Sequence, residues 1–164
     1  MKILQRVDAL LNKFEGTLLV VFLTVMLVMA FLQVVLRNFF SFGFSWADIV
    51  LRHLVLWIAF FGAAMATSHD RHISIDAFTR FLPERVKHAA RVVTNLFAAV
   101  VCFYLMSAAR VFIESEIEFS TVIFGDVPAW YAQIIIPVGF GLLMVHFAMR
   151  ALLDLRSAIK GAEA

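Results

Sequence analysis

Residues 45–76 read SWADIVLRHLVLWIAFFGAAMATSHDRHISID, and this stretch decides the fold. Its middle, Ile49–Thr67, is 19 residues long and carries Arg52 and His53 near its start and no other ionisable group. At about 1.5 Å of rise per residue, a helix of that length crosses a hydrocarbon core roughly 30 Å thick. Its two ends are more polar than a lipid anchor requires. Asp48 and Arg52 lie one helical turn apart at one end, and His69, Asp70, Arg71, His72 and Asp76 crowd the other.

Working outward, three more runs have the same character. Thr17–Leu36 is 20 residues without a charge, Val92–Ala109 is 18 uncharged residues, and Tyr131–Met149 is 19 residues, polar only at Gln133 and His146. The chain is 63% hydrophobic and 16% charged, whereas soluble domains are about half apolar and a quarter charged. The excess falls in runs, which is the membrane signature. The expectation is an all-α membrane protein of four transmembrane helices at about 17–36, 49–67, 89–113 and 131–153. These leave no room for a separate soluble domain, so residues 1–164 form a single four-span domain. A cleaved signal peptide is the rival reading of the first run. That run exceeds the usual ~7–15 apolar residues, and no small-x-small site follows it. The single Cys102 excludes an intrachain disulfide and says nothing further about compartment.

Orientation follows the basic residues. With four spans, both tails share a side with the middle loop. That side holds Lys2, Arg6, Lys13, Arg71, Arg80, Arg85, Lys87, Arg91, Arg150, Arg156 and Lys160, eleven of the 14 Lys and Arg. The positive-inside bias places both termini and the middle loop in the cytoplasm of a bacterial inner-membrane protein. The outer side then carries Asp48, Glu114, Glu116, Glu118 and Asp126. Trp46, Trp130 and Tyr131 fall at the outer boundary, where amphipathic rings settle.

The segments beside the spans are amphipathic and interfacial. Ile3, Leu4, Val7, Leu10, Leu11 and Phe14 form a helical stripe over residues 2–16. That stripe fits a helix on the inner surface or an extension of the first span. Pro83 and Glu84 suit a helix start. Arg85, Lys87, His88 and Arg91 then form a basic collar, for phospholipid headgroups or for a partner subunit. The outer segment 114–130, ESEIEFSTVIFGDVPAW, mixes acids with Ile117, Phe119, Val122, Ile123 and Phe124. It folds back on the bundle or meets a periplasmic partner. Pro137, followed by Gly139 and Gly141, predicts a kink in the last span.

Catalytic chemistry is sparse. There is no phosphate-binding loop, Cys-x-x-Cys, His-Glu-x-x-His or serine nucleophile elbow. No enzyme activity, cofactor, metal or nucleic-acid partner is expected. His53 and His146 are the two histidines within spans, but they differ by roughly 16 Å in depth, which excludes joint ligation of one haem. No Asp or Glu lies deep in any of the four expected spans, which argues against an autonomous ion-coupled carrier. The chain reads as a membrane part of something larger. Asp48 and Arg52, at i and i+4, either pair locally below a Ser45 cap or meet a subunit or a lipid headgroup. Trp57 falls near mid-membrane, where packing or lipid contact is its usual role.

The ordered set Trp46-x-Asp48, Arg52, Trp57, Phe60-Phe61-Gly62-Ala63, His72-Ile73-Ser74-Ile75-Asp76 and Leu82-Pro83, with Pro128-Ala129-Trp130 leading into the last span, resembles the small membrane subunit of tripartite ATP-independent periplasmic (TRAP) transporters, the DctQ-like Q subunit. Asp48 stands where that pattern has a longer Glu, and His53 where Tyr is more usual. The resemblance implies a periplasmic binding protein that delivers an organic acid. It implies also a large membrane (M) subunit that holds the substrate and sodium sites and moves as an elevator. The small subunit is then a fixed scaffold. Its implied contacts to the large subunit or to phospholipids are Trp46, Asp48, Arg52, Trp57, His72 and Asp76. Glu114, Glu116, Glu118 and Asp126 are the candidates for docking the binding protein. Two alternatives stay open: the small four-span subunit of a tripartite tricarboxylate transporter, and a stand-alone oligomeric channel or carrier.

Overall fold

In the computed structural model the four apolar runs become helices that extend past the expected boundaries. The structure describes residues 2–68 and 84–160, and the side chains of residues 10–68 and 89–155. The elements are α1 (Lys2–Phe40), α2 (Ser45–Ser68), α3 (Glu84–Glu118), the strands β1 (Val122–Phe124) and β2 (Val127–Pro128), α4 (Ala129–Gln133) and α5 (Ile135–Lys160). Four stretches are long and apolar enough to cross a membrane: Leu10–Phe40, Ser45–Ser68, Ala89–Glu118 and Ala129–Leu155. The chain is thus an all-α, multi-pass membrane protein with one minimal hairpin.

Each helix end has a local cause. α1 runs unbroken from residue 2 through the amphipathic segment into the first span. It stops where Ser41 takes a left-handed φ of 51° and the Phe42 amide turns back to the Leu36 carbonyl at 3.3 Å. α2 starts at Ser45, with the Ala47 amide on the Phe44 carbonyl at 3.1 Å. Ser45 is therefore already helical, not the residue before the helix as the cap reading had it. α3 opens at Glu84, while Pro83 lies outside the described residues. Pro137 has no N–H to give the Gln133 carbonyl, and the last span divides three residues upstream, between α4 and α5 at Ile134.

The outer segment folds back. Ser120 (φ 50°) ends α3, and Gly125 (φ 55°) turns β1 into β2 through a two-residue loop. The Ala129 amide closes the hairpin on the Thr121 carbonyl at 2.8 Å. β1 lies against α2, and Phe124 comes to 6.1 Å from the Trp46 ring.

The helices form a row in the order α1, α2, α5, α3, with α1 and α3 at opposite ends. Rings and glycines make the seams. Phe22 of α1 sits edge-on to Trp57 of α2 at 5.4 Å and stacks on Phe61 at 6.0 Å. Between α2 and α5 the contact is closer: a Cβ on Gly139 would lie 2.9 Å from the Phe60 Cβ and overlap its ring. Phe60 also packs edge-on to Phe140 at 5.1 Å. A row buries little of its own surface. Only 6% of the first span's apolar window is covered within the chain, and 17% of those in the third and fourth. Gly139→Ala forces Phe60 out of its seat and is expected to lower stability in detergent by about 1–3 kcal/mol, as overpacking does. Thermal unfolding followed by far-UV circular dichroism checks this, and Phe60→Ala in the same chain should restore part of the loss.

Candidate functional site

Polar groups gather at two ends of the row. At the end where α1 and α3 begin and α2 and α5 finish, Glu15 and His146 are both 1% exposed. His146 Nε2 donates to the Glu15 carboxylate, 3.0 Å from Oε1 and 3.2 Å from Oε2. The pair joins α1 to α5 past the helix that lies between them. Close by in the fold, Asn95 Nδ2 of α3 donates to Asp154 Oδ2 of α5 at 3.1 Å, and the Arg150 guanidinium donates to the Ser68 carbonyl at the last residue of α2. All four long helices thus contribute to one polar end. Burial of an isolated carboxylate costs several kcal/mol, so these groups persist among apolar helices only as partners.

This cluster was missed in the sequence. Glu15 falls just before the uncharged run at Thr17, inside a segment read for its apolar stripe, and His146 was weighed only as a haem ligand. The available signal was an acid at the edge of the first span and a lone histidine in the second half of the last. Glu15 lies just outside the expected span at 17–36, but α1 runs continuously through it, and it is among the most buried side chains described.

The opposite end carries the residues singled out from the sequence. Gln33 Nε2 of α1 donates to the Phe44 carbonyl at 3.1 Å and ties down the turn into α2. Asp48 and Arg52 are both exposed, and among the described residues neither makes an ion pair. His53 Nδ1 donates to the Ile49 carbonyl of its own helix at 2.8 Å. Trp46 packs on Phe44, 5.5 Å between rings, and Trp57 Nε1 donates to the Ala132 carbonyl at 2.9 Å. The Trp57 ring is therefore engaged inside the chain, joining α2 to α4. Below the hairpin, Phe22, His53, Trp57, Phe124 and Tyr131 line an apolar cleft of about 350 Å³.

His72 and Asp76 lie outside the described residues. Glu114 and Glu118 are exposed near the end of α3, whereas Glu116 is half-buried with Oε2 unpartnered, and Asp126 stands at the hairpin turn. The structure gathers these four acids at one end without joining them in one pocket; of them only Glu114 lines a described cavity, beside Arg110. Among the described residues no three of His, Cys, Asp and Glu converge as metal ligands would.

Known proteins resemble this chain over much of its length. The family described as "Tripartite ATP-independent periplasmic transporters, DctQ component" matches residues 26–157. Similar curated proteins include a TRAP transporter small permease protein of Haemophilus influenzae, 28% identical over 99 residues, which cover 60% of this chain and 62% of that protein. The ectoine TRAP transporter small permease protein TeaB of Halomonas elongata is 25% identical over 156 residues, 94% of this chain and 81% of that one. The C4-dicarboxylate TRAP transporter small permease protein DctQ of Pseudomonas aeruginosa is 21% identical over 108 residues, 63% of this chain and 51% of that one. The aligned stretch thus spans less than two thirds of the first and third of these relatives. The family match covers most of the chain, which belongs to the DctQ component family of TRAP transporters. It is a transporter component rather than an enzyme.

Glu15→Ala leaves a buried imidazole without its carboxylate and is expected to destabilise the protein by about 3 kcal/mol. Glu114→Ala at an exposed position should cost less than about 0.5 kcal/mol. In a double-mutant cycle Glu15→Ala and His146→Ala should couple by about 1–3 kcal/mol, read from denaturation midpoints in detergent.

Proposed function

We propose that this chain is the fixed, non-catalytic small membrane subunit of a TRAP-type transporter. It widens and holds a large permease subunit that takes up an organic acid together with sodium. A periplasmic binding protein supplies the substrate, and both termini and the middle loop face the cytoplasm of the inner membrane. The observation that carries the reading is the uncovered apolar surface of the row, at 6% burial for the first span's window, in a chain of this family. A partner and phospholipids cover that surface. The polar groups sit at the ends and not in mid-span, so they position helices and do not pass solute or ions. Substrate selection then belongs to other chains. The similar small permease proteins named above belong to an ectoine and a C4-dicarboxylate transporter, so one kind of small subunit accompanies different substrates.

Arg52, exposed and without an ion pair among the described residues, is the contact offered to the large subunit. Glu114 and Glu118 are offered to the binding protein.

Co-purification in mild detergent tests the assembly. The tagged chain should carry a many-span permease with it, and deletion of the chain should abolish uptake. Isolation of the chain alone, with uptake intact in its absence, overturns the scaffold. Arg52→Ala should cut recovery of the complex by about tenfold, equivalent to about 1.4 kcal/mol, with Lys13→Ala close to the parent protein. Charge reversal at Glu114 and Glu118 should raise the binding-protein concentration needed for half-maximal uptake by about threefold or more, consistent with rim charges that steer association. An unchanged dependence removes the docking role.

A further inference from the structure

Between the end of α1 and the start of α2 lies a crevice of about 240 Å³ lined by Gln33, Arg37, Gly43, Phe44, Ser45 and Asp48. Unlike the apolar cleft below the hairpin, it holds one cation and one anion. These two do not neutralise each other: among the described residues neither Arg37 nor Asp48 makes an ion pair. Arg37 is nonetheless held in place. Its side chain lies over Gly43, where an added Cβ would meet Cγ at 3.1 Å and Cδ at 3.4 Å. Gln33 is 7% exposed, and its Nε2 is committed to the Phe44 carbonyl while its Oε1 is buried without a hydrogen-bond partner. The crevice also meets the first turn of a 24-residue helix, where the Ala47 amide serves the Phe44 carbonyl and the Ser45 and Trp46 amides ahead of it have no intrahelical acceptor and carry partial positive charge. Trp46, half-open beside it, marks the level of lipid headgroups.

We propose that this crevice binds the headgroup of a phospholipid that carries both a phosphate and a primary ammonium. The phosphate sits on the Arg37 guanidinium and the leading amides of α2, and the ammonium donates to Asp48, beside the Gln33 amide. A lone anion would face Asp48, and a lone cation would face Arg37. A zwitterion with N–H donors satisfies both ends, and its acyl chains lie along the apolar outer surface of α1. The headgroup acts as a strut in the α1–α2 turn. The inference rests on the membrane placement of α1 and α2 and not on the transporter partnership.

The test uses the full chain, solubilised with any subunit that stays bound, depleted of lipid and offered equal amounts of 1-palmitoyl-2-oleoyl phosphatidylethanolamine, phosphatidylglycerol or phosphatidylcholine. Native mass spectrometry counts the lipid retained. Phosphatidylethanolamine should be retained preferentially, and Arg37→Ala and Asp48→Asn, both at exposed positions, should each lower that retention by about fivefold or more. Soluble glycerophosphoethanolamine should not compete at the same concentration. Equal retention of either comparison lipid overturns the proposal. So does retention unchanged in both variants, or competition by the soluble headgroup. Lipid retention is scored whether or not a permease co-purifies, so failure here is separable from failure of the scaffold reading.

Discussion

The contact between Glu15 and His146 is the constraint on which the row depends. α1 has a full apolar seam with α2 alone, and in a lipid environment apolar surface by itself gives little reason for one neighbour over another. A carboxylate and an imidazole, each 1% exposed, supply that reason. Each would be costly unpaired, and their meeting specifies where α1 stands relative to α5. The Arg150–Ser68 and Asn95–Asp154 contacts extend the same logic to α2 and α3. One end of the fold is thereby held by polar groups, while the opposite end is held by rings, the Gln33 bond to the α1–α2 turn and the hairpin.

This division of labour explains why the middle of the row can be plain. Gly139 admits Phe60, and Phe22, Trp57 and Phe61 fill the first seam. None of these contacts carries charge through the membrane. Pro137 offsets the last span, but Ile134 keeps a helical conformation at φ −57° and ψ −20°. The Ile134 and Val138 amides still reach the carbonyls four residues before them, at 2.9 and 3.3 Å, and the Trp57 bond to the Ala132 carbonyl lies just before the break.

Periodicity and run length made the four helices legible in the sequence, because a span must satisfy its backbone internally and must be apolar over about 20 residues. The helix ends were less legible. Helical hydrogen bonding continues past the last apolar residue, so α1 reaches back to residue 2 and α3 onward to Glu118. Asp48 and Arg52 were recognisable as unusual charges, but their i, i+4 spacing permitted an ion pair that the structure does not make. Glu15 and His146 are 131 residues apart, and no local pattern announces a partner at that distance. The hairpin was hidden for a related reason. Its three- and two-residue strands are shorter than any pattern of alternation, and they exist because Ser120 and Gly125 turn the chain and α2 offers a surface.

A row with a polar clamp at one end and exposed, unpaired charges at the other is asymmetric in what it keeps for itself. The buried carboxylate, Glu15, is consumed by an internal contact. Arg37, Asp48 and Arg52 are left open where α1 passes into α2. A small subunit that had to move would need a bistable element. The fixed role proposed above asks instead for buried polar contacts that specify how the helices meet, such as Glu15 with His146, and for outward charges such as Arg52 that can meet lipid or another chain.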